Sequence, residues 1–277
     1  MGATLGIIAG GGDLPRVVAE SARDSGRPVF VLALGEFAGG WIAQFNHETI
    51  GYGEFKKALA ALRGAECGDI IMLGKVHRPN FSDVKVDSKA LLMLPKVTAA
   101  ALKGDDALLR FFVDFFESEG FRPIGVIEAA PNLIAGVGPI GKLTPSAEHQ
   151  ADIASALKVV RALGAVDVGQ GAVVCAGLTL AVEAAEGTDA MLTRIPALRE
   201  AIRGTPARRC GVLVKALKPT QDKKTDLPVI GVTTVENAAM AGLAGIAIEA
   251  GAALVMNRKE VAATADRHGL FVIGFQV

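Results

Sequence analysis

Apolar residues follow two rhythms along the chain, and the alternation between them sets the expected architecture. The run 4–8 (TLGII) is aliphatic and closes on Gly10, Gly11 and Gly12. Leu14, Val17, Val18 and Ala22 then recur at helical spacing, and 28–34 is a second aliphatic run. Short aliphatic runs of this kind fit strands buried on both faces, so 4–34 reads as strand, glycine turn, helix, strand. The pattern continues with a helix over 55–63, a strand over 69–73, a Phe-rich helix over 108–119 and a strand over 123–127.

The second half repeats the theme. A helix is predicted over 147–163, a β-rich stretch broken by Gly169, Gly171 and Gly177 over 166–183, and a helix over 191–203. Strands are predicted over 211–217, 228–232, 246–249 and 270–275, with helices over 235–243 and 259–267. Pro131, Gly136, Gly138, Pro139, Gly141 and Pro145 crowd the stretch between the halves. The expected organisation is α/β with two domains. They are an N-terminal Rossmann-like domain with a parallel sheet over 1–130, a linker over 131–146 and a C-terminal α/β domain over 147–277.

Composition narrows the function. Half the 277 residues are hydrophobic and 21% are charged, which excludes disorder over the bulk of the chain. The 29 basic and 29 acidic side chains cancel, and a nucleic-acid partner would need a basic face. Cys67, Cys175 and Cys210 lie far apart, with no C-x-x-C and no His nearby, so reduced core thiols are expected rather than zinc or a disulfide. No signal peptide or membrane-spanning run is seen, so a cytoplasmic location is expected.

Four segments carry candidate chemistry. The turn Gly10-Gly11-Gly12-Asp13 follows a strand and opens a helix, where backbone amides can approach a phosphate. Pro15 stands where the dinucleotide fingerprint wants its third glycine, which disfavours NAD; Glu36, past the second strand, is placed to meet a ribose hydroxyl. The alternative is a glycine turn that is only tight. Lys75 and Arg78 follow the strand 69–73, at the edge that lines ligand crevices in open α/β sheets; as bland alternatives they are solvated loop cations.

The third segment, Glu183 to Asp189, gathers Glu183, Glu186 and Asp189 with Thr188 around Gly187. Helix capping accounts for Thr188 and Asp189 but not for the two glutamates. Oxygen-rich clusters suit Mg²⁺, which keeps waters for a phosphate substrate. The fourth, 215–226, packs Lys215, Lys218, Lys223 and Lys224 with Asp222 and Asp226 into twelve residues between two aliphatic strands. Such a charge run is either a solvated face or a set of cations for a diphosphate with an aspartate for a divalent ion. The chain has no P-loop, no G-x-S-x-G and no paired histidines, so a metal here is an oxygen-held Mg²⁺ or Mn²⁺. Phe111, Phe112, Phe115 and Phe116 sit at helical spacing, as core or as the wall of a lipid groove.

Taken in order, IAGGGDLP at 8–15, GKVHRP at 74–79, GDD at 104–106, VDVGQG at 166–171, AVEAAEGTDAM at 181–191 and the segment 215–228 resemble the LpxI-type UDP-2,3-diacylglucosamine pyrophosphatases of Gram-negative lipid A biosynthesis. The resemblance spans essentially the whole chain and is weakest over 36–66. It implies hydrolysis of UDP-2,3-diacylglucosamine to 2,3-diacylglucosamine 1-phosphate (lipid X) and UMP, a divalent ion, catalysis in the C-terminal domain and a homodimer. Two acyl chains on the substrate imply peripheral contact with the inner membrane. The important aspartate of the family's Q-D-x-x-x-D-L-P motif falls on Asp226. The expected catalytic set is then Asp226, Asp222, Lys215 and Thr188. Asp226, Asp189 and Glu183 are the expected metal ligands. Gly10, Gly11, Gly12, Asp13, Lys75, Arg78, Gly187, Lys218 and Gln221 are the expected substrate contacts. The rival is a non-catalytic nucleotide-sugar or lipid-binding protein, which has no need of clustered carboxylates beside a diphosphate.

Overall fold

The computed structural model describes residues 3–35, 37–76, 86–102, 104–218 and 227–277, without the side chains of Asp105 and Asp106. The chain divides into two compact units, Met1–Pro131 and Asn132–Val277.

Unit 1 contains β1 (Thr4–Ala9), α1 (Leu14–Asp24), β2 (Val29–Leu34), β3 (Asn46–Ile50), α2 (Phe55–Gly64), β4 (Cys67–Leu73), α3 (Ser88–Leu102), α4 (Asp105–Ser118), β5 (Arg122–Pro123) and α5 (Val126–Ala129). Its five strands form one sheet in the order β3-β2-β1-β4-β5, parallel throughout, with Ile7 flanked by Val31 and Ile71. The central strand β1 is buried along nearly its whole length, which is why it is aliphatic. Strands are added on one side of β1 up to β3 and on its other side from β4, so the turns after β1 and β4 flank the topological switch point. Phe115 and Phe116 pack with Leu32, Leu62, Ile70 and Phe121. Two of the four clustered phenylalanines are therefore core, with Phe112 packed beside them.

The N-terminal ends of these strands are tied by ions. Asp69 on β4 accepts from Arg122 Nε at 2.7 Å and Nη2 at 2.8 Å, and also from Arg27 at the start of β2. These cations, with Arg122 first, hold the Asp69 carboxyl below the usual carboxylate range against the opposing effect of its burial.

Unit 2 contains β6 (Gly138–Pro139), α6 (Ala147–Ala165), β7 (Gly171–Cys175), β8 (Leu178–Val182), α7 (Gly187–Arg194), β9 (Val212–Lys215), β10 (Val229–Ile230), α8 (Val232–Met240), β11 (Gly245–Glu249), β12 (Leu254–Val255), α9 (Arg258–His268) and β13 (Phe271–Phe275). Six strands form a mixed sheet in the order β6-β13-β11-β9-β7-β8, while β10 and β12 pair separately. Only β9, β11 and β13 run parallel; β6, β7 and β8 join antiparallel. Alternate residues feed two cores, as a sheet covered on both faces demands. Val212 and Val214 pack with Ala156 and Val160 of α6, while Leu213 packs with Met191, Leu192 and Val235 of α7 and α8.

Three expectations are corrected. The stretch 131–146, expected as a linker, is tied to unit 2 from Ile134 onward. Ile134 bridges to Leu254, Ala135 donates to Ala253, and β6 adds an edge to β13, where Pro139 lacks only an outward-facing donor. The helix expected over 191–203 ends at Arg194, with Pro196 in a following 3-10 turn. Cys175 and Cys210 form a disulfide with Cα atoms 5.8 Å apart, because β7 and β9 are neighbours although 35 residues separate the cysteines. Cys67 remains a buried free thiol, pushed up to about 11 by burial.

Because the Asp69 pKa is depressed in the folded state, its contribution to stability is present above the unfolded carboxylate pKa of about 3.9 and is lost as pH falls through the lower folded value. Asp69→Asn is expected to lose about 2 kcal/mol of stability at pH 7. Its urea midpoint should also fall less steeply than the wild type's below about pH 4. Parallel midpoint curves across that range would refute the assignment.

Candidate active site

The strand register of unit 2 builds a polar recess in an aliphatic sheet. Gly171 opens β7 directly opposite Lys215, the last residue of β9, so their side-chain positions share one face. Glu183 follows β8 and donates its amide to the Gly171 carbonyl at 2.9 Å. A Cβ on Gly171 would lie 2.5 Å from Glu183 Oε2, and one on Gly169 would lie 2.0 Å from the Glu183 carbonyl oxygen. The two glycines are thus the seat into which Glu183 folds. Glu183 is 7% exposed and Lys215 4%. Thr188 Oγ1 donates to Glu183 Oε1 at 2.8 Å, and Lys215 Nζ donates to the Val229 carbonyl at 3.1 Å.

Among the described residues Glu183 Oε2 has no hydrogen-bond partner. A buried carboxylate oxygen without a donor is costly, so the recess calls for a cation or a donor from outside. That fits a hard divalent ion, which takes one or two carboxylates and completes its shell with water and phosphate oxygens. Among the described residues no three His, Cys, Asp or Glu side chains gather closely enough to hold a metal ion by themselves.

The motif's other acids go elsewhere. Glu186 pairs with Arg194 at 2.5 Å, and Asp189 is exposed in the first turn of α7, where it favours the helix dipole. Thr188 does not cap that helix. It lies inside the first turn, after Gly187, and turns its hydroxyl to Glu183. Lys218 donates to Asp167 Oδ1 at 2.7 Å, and this lysine holds the Asp167 carboxyl below its usual range. Asp222, Asp226 and Gln221 lie outside the described residues, as do Arg78 and Glu36. The chain on either side of 219–226 is fixed: Leu217 and Leu227 are buried, and Lys215 reaches across to Val229.

Sequence reasoning missed Gln170 and the polar edge beyond it. Gln170 Oε1, next to Gly171, is buried with no partner among the described residues, and the Gln170 carbonyl accepts from Ala216 at 3.2 Å. Glu249, at the end of β11, accepts the Leu217 amide at 3.0 Å. Only the motif 166–171 hinted at the first, and nothing local marks the second.

In unit 1 the glycine turn differs from its expected role. Gly10 donates to Leu73 O, Gly11 to Lys75 O, and Lys75 back to Gly11 O, each at 2.8 Å. Two of the three glycine amides are therefore bonded to the end of β4 and the loop after it, not directed at a ligand. A Cβ on Gly10 would meet Lys75 O at 2.7 Å, and one on Gly74 would meet Gly11 O at 2.6 Å. These glycines let two backbones touch. Gly12, with φ of 93°, faces open space; Asp13 precedes α1 and pairs with Arg16 at 3.5 Å. Lys75 is exposed at the switch point, a position suited to a phosphate-binding cation.

Models of the LpxI N-terminal and C-terminal domains match residues 4–133 and 136–273. A UDP-2,3-diacylglucosamine pyrophosphatase LpxI of Caulobacter vibrioides is 50% identical over 270 residues, covering 98% of this chain and 96% of that protein. Among solved structures, N5-carboxyaminoimidazole synthetase from Staphylococcus aureus matches at 21% identity and a TM-score of 0.24. That match takes in 62% of this chain and 38% of that one, a likeness too slight to bear on the fold.

Thr188→Val removes the donor to Glu183 Oε1 while keeping shape. It should cost about 1–3 kcal/mol in the absence of added metal, and Thr188→Ser should restore most of it. Thermal denaturation of the three proteins in EDTA reads this directly; equal midpoints would show that the hydroxyl does not hold the carboxylate.

Proposed function

This chain belongs to the LpxI family, and from that membership we propose that it hydrolyses the diphosphate of UDP-2,3-diacylglucosamine, with one water, to 2,3-diacylglucosamine 1-phosphate (lipid X) and UMP in lipid A biosynthesis. The observation that carries the chemistry is Glu183: a buried carboxylate with one oxygen fixed by Thr188 and the other unpartnered.

In this reading Glu183 and Asp226 would hold Mg²⁺ or Mn²⁺, with Asp189 as the further acid of the same motif. Such an ion, when bound, polarises a phosphoryl oxygen and lowers the pKa of a coordinated water. The chain's own residues do the rest. Thr188 is a positioning residue that holds Glu183 Oε1 and so fixes the orientation of the carboxylate in its glycine seat. Lys215 brings a cation to the same strand end, where negative charge grows as the phosphoanhydride opens. Lys218 and Gln221 lie along the same segment and bind substrate oxygens, with Asp222 as a second acid. Within unit 1, taken by itself, Lys75, Arg78 and the turn from Gly12 are the groups proposed to bind phosphate oxygens. No described helix is long and apolar enough to cross a membrane. Peripheral contact with the inner membrane, and a homodimer, belong to the same proposal.

UMP release from UDP-2,3-diacylglucosamine, followed with Mg²⁺ and with EDTA, separates this reading from a binding protein. Release is expected with Mg²⁺ and not with EDTA. Asp226→Ala should lower turnover by about 10²–10³-fold while substrate still binds. Near-full turnover of that variant in Mg²⁺ would remove Asp226 from the site, and binding without release would favour the non-catalytic alternative.

A further inference from the structure

Helix α3 is apolar on the wrong side as well as the right one. Ala90 and Val97 are buried against the unit, where α3 packs on α2 and α4. Leu91, Leu92 and Leu102 are 60%, 78% and 85% exposed on other faces of the same helix. At 100° per residue, Leu91, Pro95 and Leu102 fall within one narrow stripe, with Leu92 and Ala99 beside it, over about 16 Å of axis. Two hydroxyls share that face, Ser88 at the helix start and Thr98, which is turned back to the Leu94 carbonyl at 2.8 Å. A surface helix ordinarily presents a polar outer face, and one apolar all round is covered by something.

The charges on α3 say what covers it. The helix carries no Asp or Glu. Lys89 and Lys96 fall together along one border of the exposed stripe; Lys96 is exposed and Lys89 reaches back to Glu119. Exposed leucines bordered by the exposed Lys96, on a helix without acids, match the boundary between acyl chains and anionic headgroups. A protein face of this area would ordinarily offer acids or hydrogen-bond acceptors to a lysine-bordered patch. We propose that the exposed face of α3 docks on an anionic lipid bilayer, Leu92 and Leu102 entering the headgroup boundary. This rests on the reading that the substrate carries two acyl chains, which places it in a bilayer: docking brings unit 1 to the surface where such a substrate resides.

The test is co-sedimentation of the full chain with vesicles of phosphatidylethanolamine and phosphatidylglycerol, beside vesicles of phosphatidylcholine alone. The wild type should pellet with the anionic vesicles, less so in high salt. Leu92→Ser with Leu102→Ser should weaken that binding at least about tenfold, since each leucine loses an apolar contact. Lys96→Glu should weaken binding to anionic vesicles and leave the weak binding to phosphatidylcholine unchanged. Both variants should keep the wild-type melting temperature and its rate of UMP release from substrate dispersed in detergent micelles. Wild type that stays in the supernatant, or a leucine variant that pellets like wild type, overturns the proposal. So does a variant whose vesicle binding is intact but whose oligomeric state changes, because the face is then a contact between copies. If no protein releases UMP from micelles, the hydrolytic reading fails, while the vesicle result still decides the surface.

Discussion

A carboxylate inside a protein is tolerated only where its oxygens have partners, and the second unit is arranged around that constraint at Glu183. The peptide after β8 has to turn inward at a point where β7 offers no side chains, which is what Gly169 and Gly171 provide. One oxygen is held by Thr188 from the next helix. The other has no partner among the described residues. Remove either glycine and the carboxylate has no seat; remove the threonine and it has no fixed direction. The neighbouring strand ends in Lys215, a buried ammonium that reaches to Val229 and so closes the base of the segment between β9 and β10. Acid and base are thus placed by sheet register rather than by loop conformation.

Much of this was legible, for physical reasons that also explain what was not. Strands buried on both faces announce themselves as aliphatic runs, so β1, β2, β4, β9, β11 and β13 stand out, and the parallel sheet of unit 1 follows from their alternation with helices. An edge strand has only one protected side, and β3, Asn46–Ile50, is mostly polar and was not seen. Helix α3 escaped because periodicity needs contrast, and its Leu, Met, Val and Ala fall all round the cylinder. The candidate chemistry was legible as composition: Glu183, Thr188 and Lys215 are named by their motifs. Their geometry was not, because it depends on a cross-strand partner, Gly171, 44 positions from Lys215 in the chain.

The errors share one cause. Thr188 reads locally as a cap, the proline-rich stretch as a linker, the three cysteines as unrelated thiols. Each local reading was overruled by a partner distant in sequence: Glu183 across a glycine turn, β13 along the edge of the sheet, Cys210 beside Cys175. The Asp69 cluster belongs to the same class, since Arg27 and Arg122 meet it only after three strands have aligned.

The glycine turn of unit 1 has a wider implication. Where this architecture cradles a dinucleotide, main-chain amides do the holding, and such contacts survive almost any change of side chain. Here the Gly10 amide bonds the end of β4 and the Gly11 amide the loop after it. The exposed cation at this edge is Lys75, a group that a single substitution can erase and that dissolved salt can shield. A side chain here can therefore change without any rebuilding of the backbone turn.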